Sequence, residues 1–412
     1  MSARDERGSV RRPALSRLVG AAADDFGARY WSVGPLLSRS DELGEDFSDL
    51  FSADAVDELV AERAIRTPFV RMANEGTVLT SSRYTASGGF GAEIGDQLSS
   101  EKVLEEYAAG STLVLQGLHR TWEPLATFTR QLVADLRHPC QVNAYITPAA
   151  SRGFDPHYDV HDVFVVQVHG EKHWTIHAPV HQDPLSDQPW TDHRDAVATR
   201  ALEQPAIDAT LRPGDVLYLP RGWIHSATAL GDTSIHLTLG VAALTRYEIV
   251  ERVLAAAAQE PGLRQSLPLG FDASSPELES IVGDTVRALQ QQLSAPGDLE
   301  STVAQRLDRR LRDSIRPEPV RPLATIDALG AMIASTRVQW RGGLSARVEQ
   351  DDSGVRIVLG SKTVSLPLEC AAALDRIRDG RIERAGELAD LDADSSLVVA
   401  RRLVREGVLV VR

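Results

Sequence analysis

His157-Tyr158-Asp159 and, farther along, Leu219-Pro220-Arg221-Gly222-Trp223-Ile224-His225 are the two stretches on which the reading of this chain turns. The last histidine falls 66 residues after the aspartate. Side chains alternate along an extended strand, so His157 and Asp159 are expected to share one face of a strand. A second strand must then deliver His225. Two imidazoles and one carboxylate on one side of a metal leave the other positions open, a donor set suited to non-haem Fe(II).

Flanking segments give this spacing its context. Cys140-Gln141-Val142-Asn143-Ala144-Tyr145-Ile146-Thr147 reads as a strand ending at Pro148. Val163-Phe164-Val165-Val166-Gln167-Val168 is apolar and β-branched, the pattern of a buried strand. His169-Gly170 marks a turn, and Lys172-His173-Trp174-Thr175-Ile176 starts another strand. Leu211 to Asp215 contains a Pro-Gly turn, after which Val216 to Pro220 forms the strand that leads to His225. Short strands with Gly/Pro turns at this spacing predict a double-sheet jelly roll.

The stretch from about Asn143 to Gly240 resembles the JmjC-type (cupin-like) 2-oxoglutarate oxygenases. Within them it is most similar to the bacterial ribosomal oxygenases, which hydroxylate arginine or histidine in ribosomal proteins. Asn143 to Pro148, Pro156 to Asp159, Gly170 to Trp174, Arg212 to Pro220 and Ser234 to Thr238 carry the resemblance, in order. It implies an α+β chain built on a double-stranded β-helix, with His157, Asp159 and His225 as catalytic metal ligands. It further implies Fe(II), the cosubstrate 2-oxoglutarate and O2. Lys172 occupies the position that binds the distal carboxylate of 2-oxoglutarate in similar enzymes. Asn143 and His236 match positions at the cosubstrate pocket; an amide capping an edge strand is the other role for Asn143, and for His236 a hydrogen-bonded core histidine is the favoured one.

Lys172 is notable in its own right, since the chain has three lysines against 41 arginines. A compact ammonium suits a single buried carboxylate, where a charge-assisted hydrogen bond is short and strong. His169, His173, His177 and His181 recur every four residues and mimic a helix face. Pro179, Pro184 and the intervening Trp174-Thr175-Ile176 argue for strands instead, so these read as surface or core histidines. His161 follows His157 by four residues, about 13 Å along a strand, too far to share one ion.

The 412 residues are 43% hydrophobic and 25% charged, enough for two or three domains with proper cores. Two widely separated cysteines, Cys140 and Cys370, suggest neither a disulfide framework nor a thiolate zinc site. No apolar run reaches the ~20 residues a membrane helix needs. Five arginines in the first 20 residues, with Pro13 and no following apolar core, read as a mobile basic arm rather than a secretory signal. A cytoplasmic protein is therefore expected.

Four regions follow: an arm over 1–25, a catalytic JmjC/cupin-like domain over 26–245, a helical domain over 246–320 and a winged-helix-like domain over 321–412. Phe26 to Trp31 resembles the family's entry segment. Ser52 to Val60 and Trp122 to Leu136 read as flanking helices, with Ser111 to Gly117 a strand. Tyr247 to Gln259, Glu277 to Leu293 and Ser301 to Ser314 are apolar-striped helices, which form the homodimer in similar enzymes. In the last region, strands at Val355 to Leu359 and Thr363 to Leu366 precede helices at Glu369 to Arg378, Ala385 to Ala389 and Ser395 to Glu406. Val408 to Val411 closes it as a strand.

Residues 321–412 hold 14 basic and 13 acidic side chains, which is not the basic footprint of a DNA-binding domain. The whole chain carries −14, so the remainder carries −15, a field that attracts basic polypeptides. The expected partner is a basic, ribosomal protein substrate, with neither membrane nor DNA. Other readings stay open: hydroxylation or N-demethylation of another peptide or natural-product precursor, a cupin that uses its metal without 2-oxoglutarate, and a winged-helix regulator with a vestigial barrel.

Overall fold

The structure, a computed structural model, describes residues 12–412 except 45, 75, 150, 152–154, 271–275 and 295–298. It divides into two compact units, Met1–Ala243 and Leu244–Arg412.

The first unit is built on one sheet of nine strands. Eight of them position the site: β1 (Leu36–Ser38), β2 (Val70–Asn74), β3 (Thr112–Leu115), β4 (Cys140–Thr147), β5 (Asp162–His177), β6 (Ile207–Leu211), β7 (Val216–Leu219) and β8 (Ile224–Val241). The order is β1-β7-β5-β8-β4-β3-β2, with Thr77–Val78 beyond β2 and β6 beside β5. Strands β5 and β8 are long enough to serve both halves of the roll. The first part of β5 lies between β7 (Val216 opposite Val166) and the end of β8 (Val241 opposite Asp162). Its second part lies between β6 (Leu211 opposite Lys172) and the start of β8 (Ile224 opposite His177).

The two segments expected at Val163 to Val168 and Lys172 to Ile176 are thus one strand. His169-Gly170 does not turn the chain back; it sits at an irregularity where the pairing shifts between Leu230 and Ile235 of β8. There Gly231 to Ser234 of β8 stand opposite Gly170 alone, an irregularity that interrupts the ladder without ending it. Gly170 has φ +62°, and a Cβ on it would meet Thr233 O at 2.1 Å.

The apolar run of β5 is explained by burial on both faces. Phe164 and Val166 join a core with Val142, Ala144, Leu237 and Tyr218, packed beneath the helices α1 (Pro13–Val19), α2 (Ala53–Ala61), α3 (Ser100–Ala108) and α4 (Glu123–Leu136). Val163 and Val165 face the other way, onto Trp174, Ile176, Leu211, Leu217 and Leu219.

The arm expected over 1–25 is not mobile from Pro13 on. Residues 1–11 lie outside the described residues, but from Pro13 the chain is helical, and Ala14, Leu15, Leu18 and Val19 are buried. The carboxylate of Asp135, in α4, accepts the N–H groups of Ala14 at 2.8 Å and Leu15 at 3.0 Å. Orphan donors at a helix start are satisfied this way, here by a residue about 120 positions away.

In the second unit, α5 (Arg246–Ala257) starts at Thr245, whose hydroxyl accepts Glu248 N–H. It is followed by α6 (Pro276–Ser294) and α7 (Leu299–Ser314), and Glu248 pairs with Arg310 of α7. Then come α8 (Pro322–Ala331), β9 (Arg337–Trp340), β10 (Arg347–Asp351), β11 (Gly354–Val358), β12 (Thr363–Leu366), α9 (Ala371–Arg378), β13 (Ile382–Arg384), α10 (Ala393–Arg405) and β14 (Leu409–Val411). Strand β9 lies between β13 and β14, while β10-β11-β12 form a separate meander. The helix expected at Ala385 to Ala389 is absent. Ala385 and Gly386 donate instead to Thr336 O and Ala334 O, each at 2.8 Å, so this backbone is spent on a neighbouring segment. Helix–strand–helix–strand therefore replaces the expected helix–helix–helix–strand.

Gly170→Ala is expected to destabilise the first unit by at least about 2 kcal/mol, because strained φ and a backbone clash coincide. Urea denaturation of the full chain, read at the tryptophans, measures this. An unchanged midpoint would show that the bulge can relax.

Candidate active site

Two backbone hydrogen bonds create the site. His225 N–H donates to His157 O at 2.8 Å and His157 N–H to His225 O at 3.2 Å, an isolated antiparallel bridge. The segment around His157 and Asp159 is not a regular strand as expected; the single bridge is what fixes it. Gly222 N–H adds a bond to Asp159 O at 3.0 Å. The two imidazole centroids lie 4.5 Å apart.

Each histidine is oriented through Nδ1. His157 Nδ1 lies 2.7 Å from Asp155 O and His225 Nδ1 lies 3.0 Å from Trp223 O. A carbonyl there selects the Nδ1–H tautomer and leaves Nε2 as a lone-pair donor, the usual preparation of a metal-binding histidine. Asp159 Oδ2 is 3.8 Å from His225 Nε2 and 4.0 Å from His161 Nδ1. Ligands at right angles on ~2.1 Å bonds sit roughly 3 Å apart, and among the described residues no three donors are already closed to that spacing. The donor set itself fits a non-haem Fe(II).

The charges agree with that role. Desolvation and the neighbouring His157 hold His225 down to about 4, so it is neutral and able to ligate at pH 7. Desolvation alone would raise Asp159, but His225, His161 and His157 outweigh it and keep its carboxyl below the ordinary range.

These groups open into a cavity of about 260 Å3. Lys172 projects into it from β5, only 3% exposed, with Nζ donating to Thr147 Oγ1 at 3.1 Å. Among the described residues no carboxylate pairs with it, and desolvation pulls its pKa down to about 7. A buried ammonium beside a hydroxyl and without an acid is prepared for an anionic ligand. His236 lines the same cavity, stacked on Tyr145 at 5.0 Å with Trp174 edge-on at 5.4 Å. Burial, then Lys172, then His225 hold it well below the ordinary histidine range.

His157, Asp159, His225, Lys172 and His236 thus meet in one place, while Asn143 has a different partner. It shares the face of Tyr145 and Thr147, yet its carbonyl accepts Gly117 N–H at 3.0 Å, anchoring a turn instead of lining the cavity. Tyr158, Arg221 and Trp223, adjacent to the proposed donors in sequence, are not among the residues lining the cavity. Tyr158 donates to Gln188 O at 3.1 Å, and Arg221 pairs with Asp162 and Asp183. Lining residues not foreseen are Arg71, Thr112, Tyr145, Thr147, Trp174 and Trp190. Tyr145 and Thr147 follow Asn143 at two-residue intervals, a signal the sequence did contain.

A model of the JmjC domain matches residues 119–249. The bifunctional lysine-specific demethylase and histidyl-hydroxylase NO66 of Drosophila persimilis is 38% identical over 134 residues, covering 31% of this chain and 19% of that protein. Ribosomal oxygenase 1 of Gallus gallus is 28% identical over 314 residues, 72% of this chain and 50% of the relative. The chain thus spans about half or less of the length of these relatives. Among solved structures, the Escherichia coli ribosomal oxygenase YcfD in complex with cobalt and 2-oxoglutarate superposes with TM-score 0.50 at 19% identity, covering 96% of this chain and 99% of that one. Another structure of E. coli YcfD gives 0.52 over 94% of this chain and 97% of the other. Residues 119–249 thus match the JmjC domain, and the fold agrees with that of the YcfD structures.

Proposed function

We propose that the protein is an Fe(II)- and 2-oxoglutarate-dependent oxygenase that hydroxylates an arginine or histidine side chain of a ribosomal protein. The observation that carries this reading is one cavity holding two Nε2 donors, a carboxylate and a buried lysine that has no acidic partner among the described residues. His157, Asp159 and His225 would hold the metal. When bound, Fe(II) with 2-oxoglutarate and O2 supplies the oxidation of an unactivated C–H bond. The chain's own residues do the positioning. Lys172 and Thr147 receive the distal carboxylate, while Tyr145, Trp174 and His236 wall it off from water. Trp190, beyond His157 at 6.3 Å between ring centroids, borders the side on which a substrate side chain would enter. NO66 is named as both demethylase and histidyl-hydroxylase, so released formaldehyde distinguishes N-demethylation from hydroxylation here.

The substrate class is supported by the names of the relatives and by the −15 carried on residues 1–320, which favours encounter with basic polypeptides. Such a substrate implies the cytoplasm, and among the described residues no helix is long and apolar enough to cross a membrane. Residues 246–320 are proposed as a homodimerisation element. Val282 and Val286 of α6 are 54% and 47% exposed, one turn apart on one face. Residues 321–412 are proposed as a winged-helix-like module that packs or positions and does not bind DNA, in keeping with their near-neutral charge.

His157→Ala and Asp159→Ala are each expected to abolish 2-oxoglutarate turnover and the +16 Da product, read by succinate release and intact mass of ribosomal proteins. Retained wild-type turnover in both would exclude the assignment. Lys172 in the free protein titrates near 7, against 10.5 ordinarily. Above pH 7 binding of the dianion must take up the missing proton. Affinity for 2-oxoglutarate should therefore fall by up to about tenfold per pH unit, with little dependence below pH 7. Lys172→Met should remove the slope and weaken cosubstrate binding while sparing metal affinity; calorimetric titrations at several pH values test both. Val282→Asp with Val286→Asp should convert a dimer to a monomer in sedimentation.

A further inference from the structure

The carboxylate of Asp162 joins three stretches of chain around the metal donors. It is fully buried, three residues beyond Asp159 at the start of β5. One oxygen accepts Arg221 N–H at 2.9 Å and the other accepts the Tyr218 hydroxyl at 3.1 Å, at the end of β7. The Arg221 guanidinium lies 3.6 Å from the same carboxylate and reaches Asp183 at 3.2 Å with its other arm. Asp183 belongs to the segment that leads on to Trp190. Arg221 directly precedes Gly222, the residue that donates to Asp159 O, and His225 follows three residues later. The turn has no slack: Gly222 has φ +87°, and a Cβ there would meet His181 O at 2.7 Å.

We propose that Asp162, acting through Arg221, is a positioning residue that fixes the separation of Asp159 and His225 and so the affinity of the site for its metal. This rests on the metal-binding reading above. A buried acid elsewhere supplies the contrast. Asp215, at the opposite end of β7, is 2% exposed and accepts Ser40 N–H at 2.9 Å, Arg212 N–H at 3.0 Å and Arg39 at 2.8 Å. Its chemistry matches that of Asp162, but it holds β1 and the β7 entry turn, and none of its partners adjoins a metal donor.

The test is a Co(II) titration of the full-length protein, followed by visible ligand-field absorption and calorimetry, with apo-protein melting measured alongside. Asp162→Asn and Asp215→Asn should both lower the melting temperature. Only Asp162→Asn should weaken Co(II) binding, by about 10–100-fold as for other outer-shell partners, and shift the visible bands. If Asp162→Asn does not fold, Arg221→Met retains the carboxylate and the backbone N–H, and should lose affinity likewise, with Arg221→Lys recovering part of it. Wild-type affinity and spectrum in Asp162→Asn or Arg221→Met would overturn the proposal, as would an equal loss in Asp215→Asn. Wild-type protein that binds no Co(II) would instead sink the underlying metal reading, so the two failures remain distinct.

Discussion

The reciprocal backbone pair between His157 and His225 is the constraint on which the rest depends. It brings together donors 68 residues apart without engaging either imidazole, leaving each ring to be oriented by a carbonyl of its own loop. Backbone holds the spacing and Nδ1 contacts hold the tautomer, so neither duty falls on Nε2. The sheet supports this because β5 and β8 are shared by both halves of the roll.

Electrostatics follow from the same enclosure. Desolvation that keeps His225 neutral also makes Lys172 costly to protonate. In isolation such a lysine is a defect, since burial of an uncompensated charge opposes folding. Beside Thr147, and facing the same cavity as a carboxylate and two imidazoles, it carries a cost that an anionic partner would relieve. Strain from burial is thereby concentrated where binding can release it.

Much of the site was legible because its signals are local. The histidine–aspartate spacing, the Pro-Gly turn before β7 and a lysine in an arginine-rich chain can each be read within a few residues. What escaped depends on pairing. Arg71 reaches the cavity only because β2 lies beside β3, and nothing near it in sequence announces that neighbour. Asn143 sits on the right face of β4, but Gly117, 26 residues earlier, claims its carbonyl. The ordered start at Pro13 was hidden because its cap, Asp135, belongs to a helix more than a hundred residues on. Likewise, the backbone of Ala385 and Gly386 is claimed by Ala334 and Thr336, a pairing no propensity reveals.

The pairing of β4 with β8 sets Cys140 opposite Val241, about a hundred residues away along the chain. Contacts of that span close late, because loop entropy must be overcome before they return anything. On the ribosome, the strand that carries His225 cannot zip onto its partners until residues past Val241 have emerged. At some 5–20 residues per second, the nascent chain spends several seconds with His157 and Asp159 exposed and no third donor beside them. A metal bound by these three donors would therefore be acquired only once the first unit is complete, and adventitious metals would meet only part of the site during translation.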